Sequence, residues 1–133
     1  MVRFIYKLEP RSHIGAVEIS GLGWLNVQYR VAQLKLNHMH NVFYQNCPEY
    51  LLSMFTFTHN VHSHRTRNSV NSFFVPRYSG INLKSFNYTG VKLWNSLPSH
   101  IRSTEGKTTF RKKLKDHLKS EMLGIDNNDF VYY

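Results

Sequence analysis

The chain has 133 residues, enough for one domain with a core but short for two, and its 41% apolar and 14% aromatic shares argue against a disordered chain. Its 17 Lys and Arg outnumber 8 Asp and Glu, for a formal charge of +9. A lone cysteine, Cys47, excludes an internal disulfide and any cysteine-based zinc knuckle.

Residues 1–23 read as an irregular N-terminal segment broken by Pro10, Gly15, Gly21 and Gly23, with the look of the tail of something larger. The stretch Ser12 to Ile19 is compatible with a short helix or a strand. The N-terminus lacks the apolar run of a signal peptide, and no stretch approaches membrane-spanning length. The expectation is an intracellular protein, nuclear or cytoplasmic, with no membrane partner.

A helix is expected over 26–44. Asn26 is its N-cap, and Val27, Val31, Leu34, His38 and Val42 recur at spacings of 4, 3, 4 and 4 to form its buried face, with His38 a core histidine. Trp24 and Leu25 precede it as a hydrophobic staple. Pro48 starts a second, short helix over 48–55. A polar connection over 56–69 follows. The β-leaning run Val70–Arg77, the turn Tyr78-Ser79-Gly80 and the alternating run Ile81–Phe86 predict a β-hairpin near 70–86 lying on helices. A third helix is expected over 88–97, where Tyr88, Val91, Trp94 and Leu97 recur every three residues and Pro98 ends the run. The last helix covers 109–123, stopped by Gly124, and 124–133 reads as a frayed tail. The whole is an α+β, mainly helical fold, with 24–123 as a single small domain. Its expected core is Trp24, Leu34, Phe73, Phe86, Trp94, Leu97, Phe110 and Leu114.

The charge is unevenly placed: residues 60–120 hold twelve Lys and Arg against Glu105 and Asp116 alone. A polyanion, RNA or DNA bound with little sequence preference, is the natural partner of such a stretch. On the last helix Phe110, Leu114 and Leu118 form one apolar stripe with His117 beside it. Arg111, Lys112, Lys115 and Lys119 fall on the opposite arc, as a cationic ridge able to follow a phosphate backbone. Arg65, Arg67, Arg77 and Lys84 complete the candidate nucleic-acid-binding set. The run Arg111 to Lys115 also fits a weak nuclear-import pattern.

Chemistry beyond binding finds little support. His59, His62 and His64 have zinc-like spacing but no fourth ligand or supporting carboxylate nearby, so they read as a polar loop near phosphate, and no metal or cofactor is expected. The few carboxylates form no spaced acidic cluster for two-metal phosphoryl transfer, and no Gly-rich phosphate loop or nucleophile elbow occurs. The chain reads as no enzyme on its own.

Several motifs, in order, resemble one family. They are Leu22-Gly23-Trp24-Leu25-x-Val27-x-x-Arg30, Pro48-Glu49-Tyr50-Leu51, His64-Arg65-Thr66-Arg67, Val75-Pro76-Arg77, then Phe86-x-Tyr88 leading to Leu93-Trp94-Asn95-Ser96-Leu97-Pro98 and Ile101-Arg102, and finally Phe110-Arg111-x-x-Leu114-Lys115. Together they resemble the C-terminal, post-thumb region of non-LTR (LINE-type) retrotransposon reverse transcriptases, with Asn26 where proline is usual. The resemblance implies a segment of an RNA-directed DNA polymerase detached from its palm and catalytic aspartates. It also implies a role in holding template RNA or target DNA beside a polymerase thumb. The alternative is a remnant or protein-interaction module with no nucleic-acid role.

Overall fold

The computed structural model describes residues 1–61 and 71–124, Ile81 by its backbone alone. Eight α-helices run through the described residues: α1 Val2–Ile5, α2 Ala16–Gly21, α3 Val27–Phe43, α4 Glu49–Leu52, α5 Thr58–Val61, α6 Phe86–Ser96, α7 Ser99–Arg102 and α8 Lys107–Gly124, with a 3-10 turn at Gly80–Lys84. The fold is mainly helical, and among the described residues no helix is long and apolar enough to cross a membrane.

Helix α3 begins where its cap predicts. The Asn26 side chain accepts the Gln28 N–H at 3.4 Å, meeting one of the orphan donors of the first turn. Of the predicted buried row only Val42 is buried. Tyr29, Ala32, Gln33, Leu36, Met39, His40 and Val42 point inward, whereas Val27, Val31, Leu34 and His38 are exposed. The core histidine is therefore His40, not His38. Helix α6 crosses α3 closely at Gly90, where an added Cβ would stand 3.0 Å from the Met39 sulfur. Helix α8 packs on α3 through Phe110, Leu114, Leu118 and Met122, all buried, as its single apolar stripe predicts.

Trp94 on α6 is fully buried where these helices meet. Its ring stacks on Phe43 at 5.3 Å and lies 5.9 Å from Phe110 and 6.3 Å from Phe73. Burying one such side chain contributes about 1.5–3 kcal/mol. Of the expected core, Phe73, Trp94, Leu97, Phe110 and Leu114 are buried, while Trp24, Leu34 and Phe86 each keep a third or more of their surface in solvent.

The hairpin expected near 70–86 is corrected: over 71–86 there is none, and Val70 lies outside the described residues. The backbone groups there find other partners. Thr58 N–H donates to the Ser72 carbonyl at 3.1 Å and Phe74 N–H to that of Thr56 at 2.7 Å, so Phe57 and Phe73 pair in a lone antiparallel bridge. Phe73 is held on its other edge by Asn95 of α6. The second half of the range winds into the 3-10 turn, whose Leu83 stays exposed with no facing strand to cover it.

The segment 1–23 is not wholly irregular either. Helix α2 forms because the Glu18 carboxylate accepts the Gly15 N–H at 2.9 Å, and α2 then lies against α8. The tail beyond Gly124 is outside the described residues.

Candidate nucleic-acid interface

Four of the candidate cations lie on α8. At about 100° per residue, Arg111, Lys115, Lys119 and Lys112 follow one another round the helix, Arg111 bordering the Leu118 and Met122 end of the apolar stripe and Lys112 lying farthest from it. Arg111, Lys112 and Lys115 are exposed and Lys119 is half-buried. The neighbouring Lys113 is tied down, its Nζ donating to the Thr104 hydroxyl at 3.2 Å.

Two residues absent from the predicted set stand beside this ridge. A cleft of about 280 Å³ between the α2–α3 turn, α3 and α8 is lined by Gly23, Trp24, Leu25, Arg30, Gln33 and Lys115. Arg30 of α3, its guanidinium steadied by a hydrogen bond to the Gln33 side chain, faces the same cleft as Lys115. Lys119 lies close by, its Nζ 3.9 Å from where a Cβ on Gly23 would stand. Trp24 keeps 42% of its surface exposed. One signal for its turn lay in the sequence: Gly21 and Gly23 just ahead of it are the residue type that ends helices in a left-handed conformation. Arg30 became recognisable only once the orientation of α3 was known.

The other predicted cations lie elsewhere. Arg77 is exposed on the irregular stretch before the 3-10 turn. Lys84, at the end of that turn, opens onto a separate cavity of about 760 Å³ whose far wall is His117, Leu118 and Glu121. In that wall His117 Nε2 is 3.3 Å from the Glu121 carboxylate. Arg65 and Arg67 lie outside the described residues, as do His62 and His64. His59 is exposed and stacks on Phe57 at 5.3 Å. Among the described residues no group of three His, Cys, Asp or Glu is placed to hold a metal ion.

Arg102, of the Ile101-Arg102 motif, does not join the surface set. It is 7% exposed, and burial pushes its guanidinium below its ordinary pKa. Its Nη1 donates to the Asn71 carbonyl at 3.2 Å, the oxygen that also accepts the Trp94 indole N–H at 3.0 Å. Asn71 offers that oxygen from a left-handed conformation, φ 59°, which asparagine tolerates better than most residues. These motif residues hold the fold together.

Comparison of the chain with protein-family models, curated proteins and solved structures gives no match.

Proposed function

We propose that this chain is a non-catalytic nucleic-acid-binding segment, and that it derives from the C-terminal region of a non-LTR retrotransposon reverse transcriptase. The observation that carries the binding half is the co-location of cations. Arg111, Lys112, Lys115 and Lys119 share one arc of α8, and Arg30 of α3 faces Lys115 across a cleft. Cations in such a row neutralise successive phosphates and release counterions, giving sequence-tolerant affinity. The derivation half is supported by the order of the motifs and by their roles. Trp94, Asn95, Leu97 and Arg102 form a connected structural hub, as a motif retained for folding would.

A fluorescence-anisotropy titration with a labelled oligonucleotide tests the binding. Four to five neutralised phosphates give an expected log K against log salt slope of about −3 to −4. The reversal Lys112→Glu/Lys115→Glu is expected to abolish most of the affinity, and Arg77→Glu/Lys84→Glu to cost less. Absence of binding at low salt, or binding indifferent to salt, would overturn the reading.

One observation favours a second reading, a protein-interaction module. Val27, Val31 and Leu34 form an exposed apolar row along α3, as a surface that has lost or awaits a protein partner would. The same titration separates the two, because this module predicts no oligonucleotide affinity at any salt concentration.

A further inference from the structure

Resting on the nucleic-acid reading above, we infer that the cleft beside α8 takes an unpaired base of a single strand, stacked on Trp24, with the flanking phosphates on Arg30, Lys115 and Lys119. The chain has two tryptophans and treats them oppositely: Trp94 has no exposed surface, and Trp24 is 42% exposed.

The backbone that presents Trp24 is fixed. Helix α2 ends at Gly21, and Gly23 follows with φ +73°, a conformation that glycine adopts without strain. Gly23 N–H donates to the Ser20 carbonyl at 2.8 Å and Trp24 N–H to that of Ile19 at 3.1 Å. These two bonds make a Schellman motif with Trp24 in the position after the left-handed residue. Two residues on, Asn26 N–H contacts the Met122 sulfur at 3.4 Å, so the turn is also pinned to α8. With the backbone held this way, only the side-chain torsions remain to be ordered when the ring binds, which favours affinity.

The shape and charge of the cleft select the ligand. At about 280 Å³ it lies at the lower limit of small-molecule pockets, room for one planar ring system rather than a paired helix. Its cations Arg30 and Lys115 line the same cleft as the tryptophan, with Lys119 beside Gly23 at its edge. An aromatic face among cations is the arrangement that binds single strands: every base has a π-face, and each stacking contact is worth a severalfold to a hundredfold change in affinity. In a duplex the bases are already stacked and paired, so phosphate contacts alone remain.

The experiment compares labelled oligo(dT), oligo(U) and a DNA duplex of equal length, on the wild-type chain and on Trp24→Ala and Trp24→Phe. Trp24→Ala is expected to weaken single-strand binding at least fivefold and to leave duplex binding within twofold. Trp24→Phe should keep most of the single-strand affinity, and either single strand bound in this way supports the inference. Unchanged melting temperatures would show that the half-exposed ring was not needed for folding. A second readout is quenching of tryptophan emission on saturation with oligo(dT), which a purely structural ring would not show.

Equal loss on single strand and duplex, or no loss with Trp24→Ala, overturns the inference while leaving the phosphate-binding ridge in place. If the wild-type chain binds none of the three, the nucleic-acid reading falls with it. A third result would also overturn it: Trp24→Ala dissociating a dimer in sedimentation, with oligonucleotide affinity unchanged, would make Trp24 a protein contact.

Discussion

Asn95 shows how one side chain can replace an absent strand. Its Oδ1 accepts the Phe73 N–H at 3.1 Å and its Nδ2 donates to the Phe73 carbonyl at 2.7 Å, the pair of bonds a neighbouring strand would have made. Phe73 is 1% exposed, so neither backbone group has water to fall back on. Leaving a buried donor or acceptor unmet costs about 1–3 kcal/mol. Asn95→Ala should therefore lower the unfolding free energy by about 2 kcal/mol in urea denaturation. Asn95→Asp should recover none of it, because a carboxylate cannot donate and would face the Phe73 carbonyl. A loss below about 0.5 kcal/mol for both would mean that the 71–73 segment is held mainly by the Trp94 and Arg102 bonds to Asn71.

At the scale of elements, α3 and α8 differ in how far their sequences dictate their packing. Helix α8 has one apolar row, and Phe110, Leu114 and Leu118 are buried as their spacing says. Helix α3 has two interleaved rows. The one with the cleaner spacing, Val27, Val31, Leu34 and His38, is exposed. The one that packs is interrupted by Gln33, bonded to Arg30 one turn earlier, and by His40, whose partner is the Thr104 carbonyl far along the chain. Periodicity could locate that helix and its Asn26 cap but not choose its face. The hairpin expectation rested on local alternation, whereas the pairing of Phe73 with Phe57 and Asn95 is tertiary. The candidate site was half legible for the same reason: a row of cations within one helix can be read from spacing, and a cleft shared by Trp24, Arg30 and Lys115 needs the packing. A pair of substitutions checks the orientation of α3. Leu36→Ala, at 1% exposure, should cost about 2–5 kcal/mol. Leu34→Ala, two residues earlier and 47% exposed, should stay within about 0.5 kcal/mol of wild type. Thermal melts of the two variants decide it, and similar losses would put both leucines in contact with the core.

For the whole molecule, with a formal charge of +9, the buried titratable side chain of His40 couples the packing of the core to pH. It is 1% exposed, packed against Phe110 at 4.2 Å between ring centroids, with Trp94 and Tyr44 also beside it. Its Nε2 lies 2.9 Å from the Thr104 carbonyl, a bond that requires the proton on Nε2. Nδ1 is then the unprotonated nitrogen, buried without a partner among the described residues. Burial pushes its pKa below the ordinary 6.5; the Thr104 bond opposes this, and Lys107 and Arg111 add to the lowering. Above pH 6.5 the imidazole is neutral in both the folded and unfolded chain, and its packing contributes in full. As the pH falls through 6.5 toward the depressed folded value, the unfolded chain takes up the proton first, so this contribution declines. His40→Gln can keep a donor toward Thr104 but cannot titrate or stack as the imidazole does. Its deficit in unfolding free energy relative to wild type should be largest near pH 8 and shrink steadily toward pH 5, measured by urea denaturation at each pH. A deficit constant over that range would show that His40 binds its proton equally well folded and unfolded.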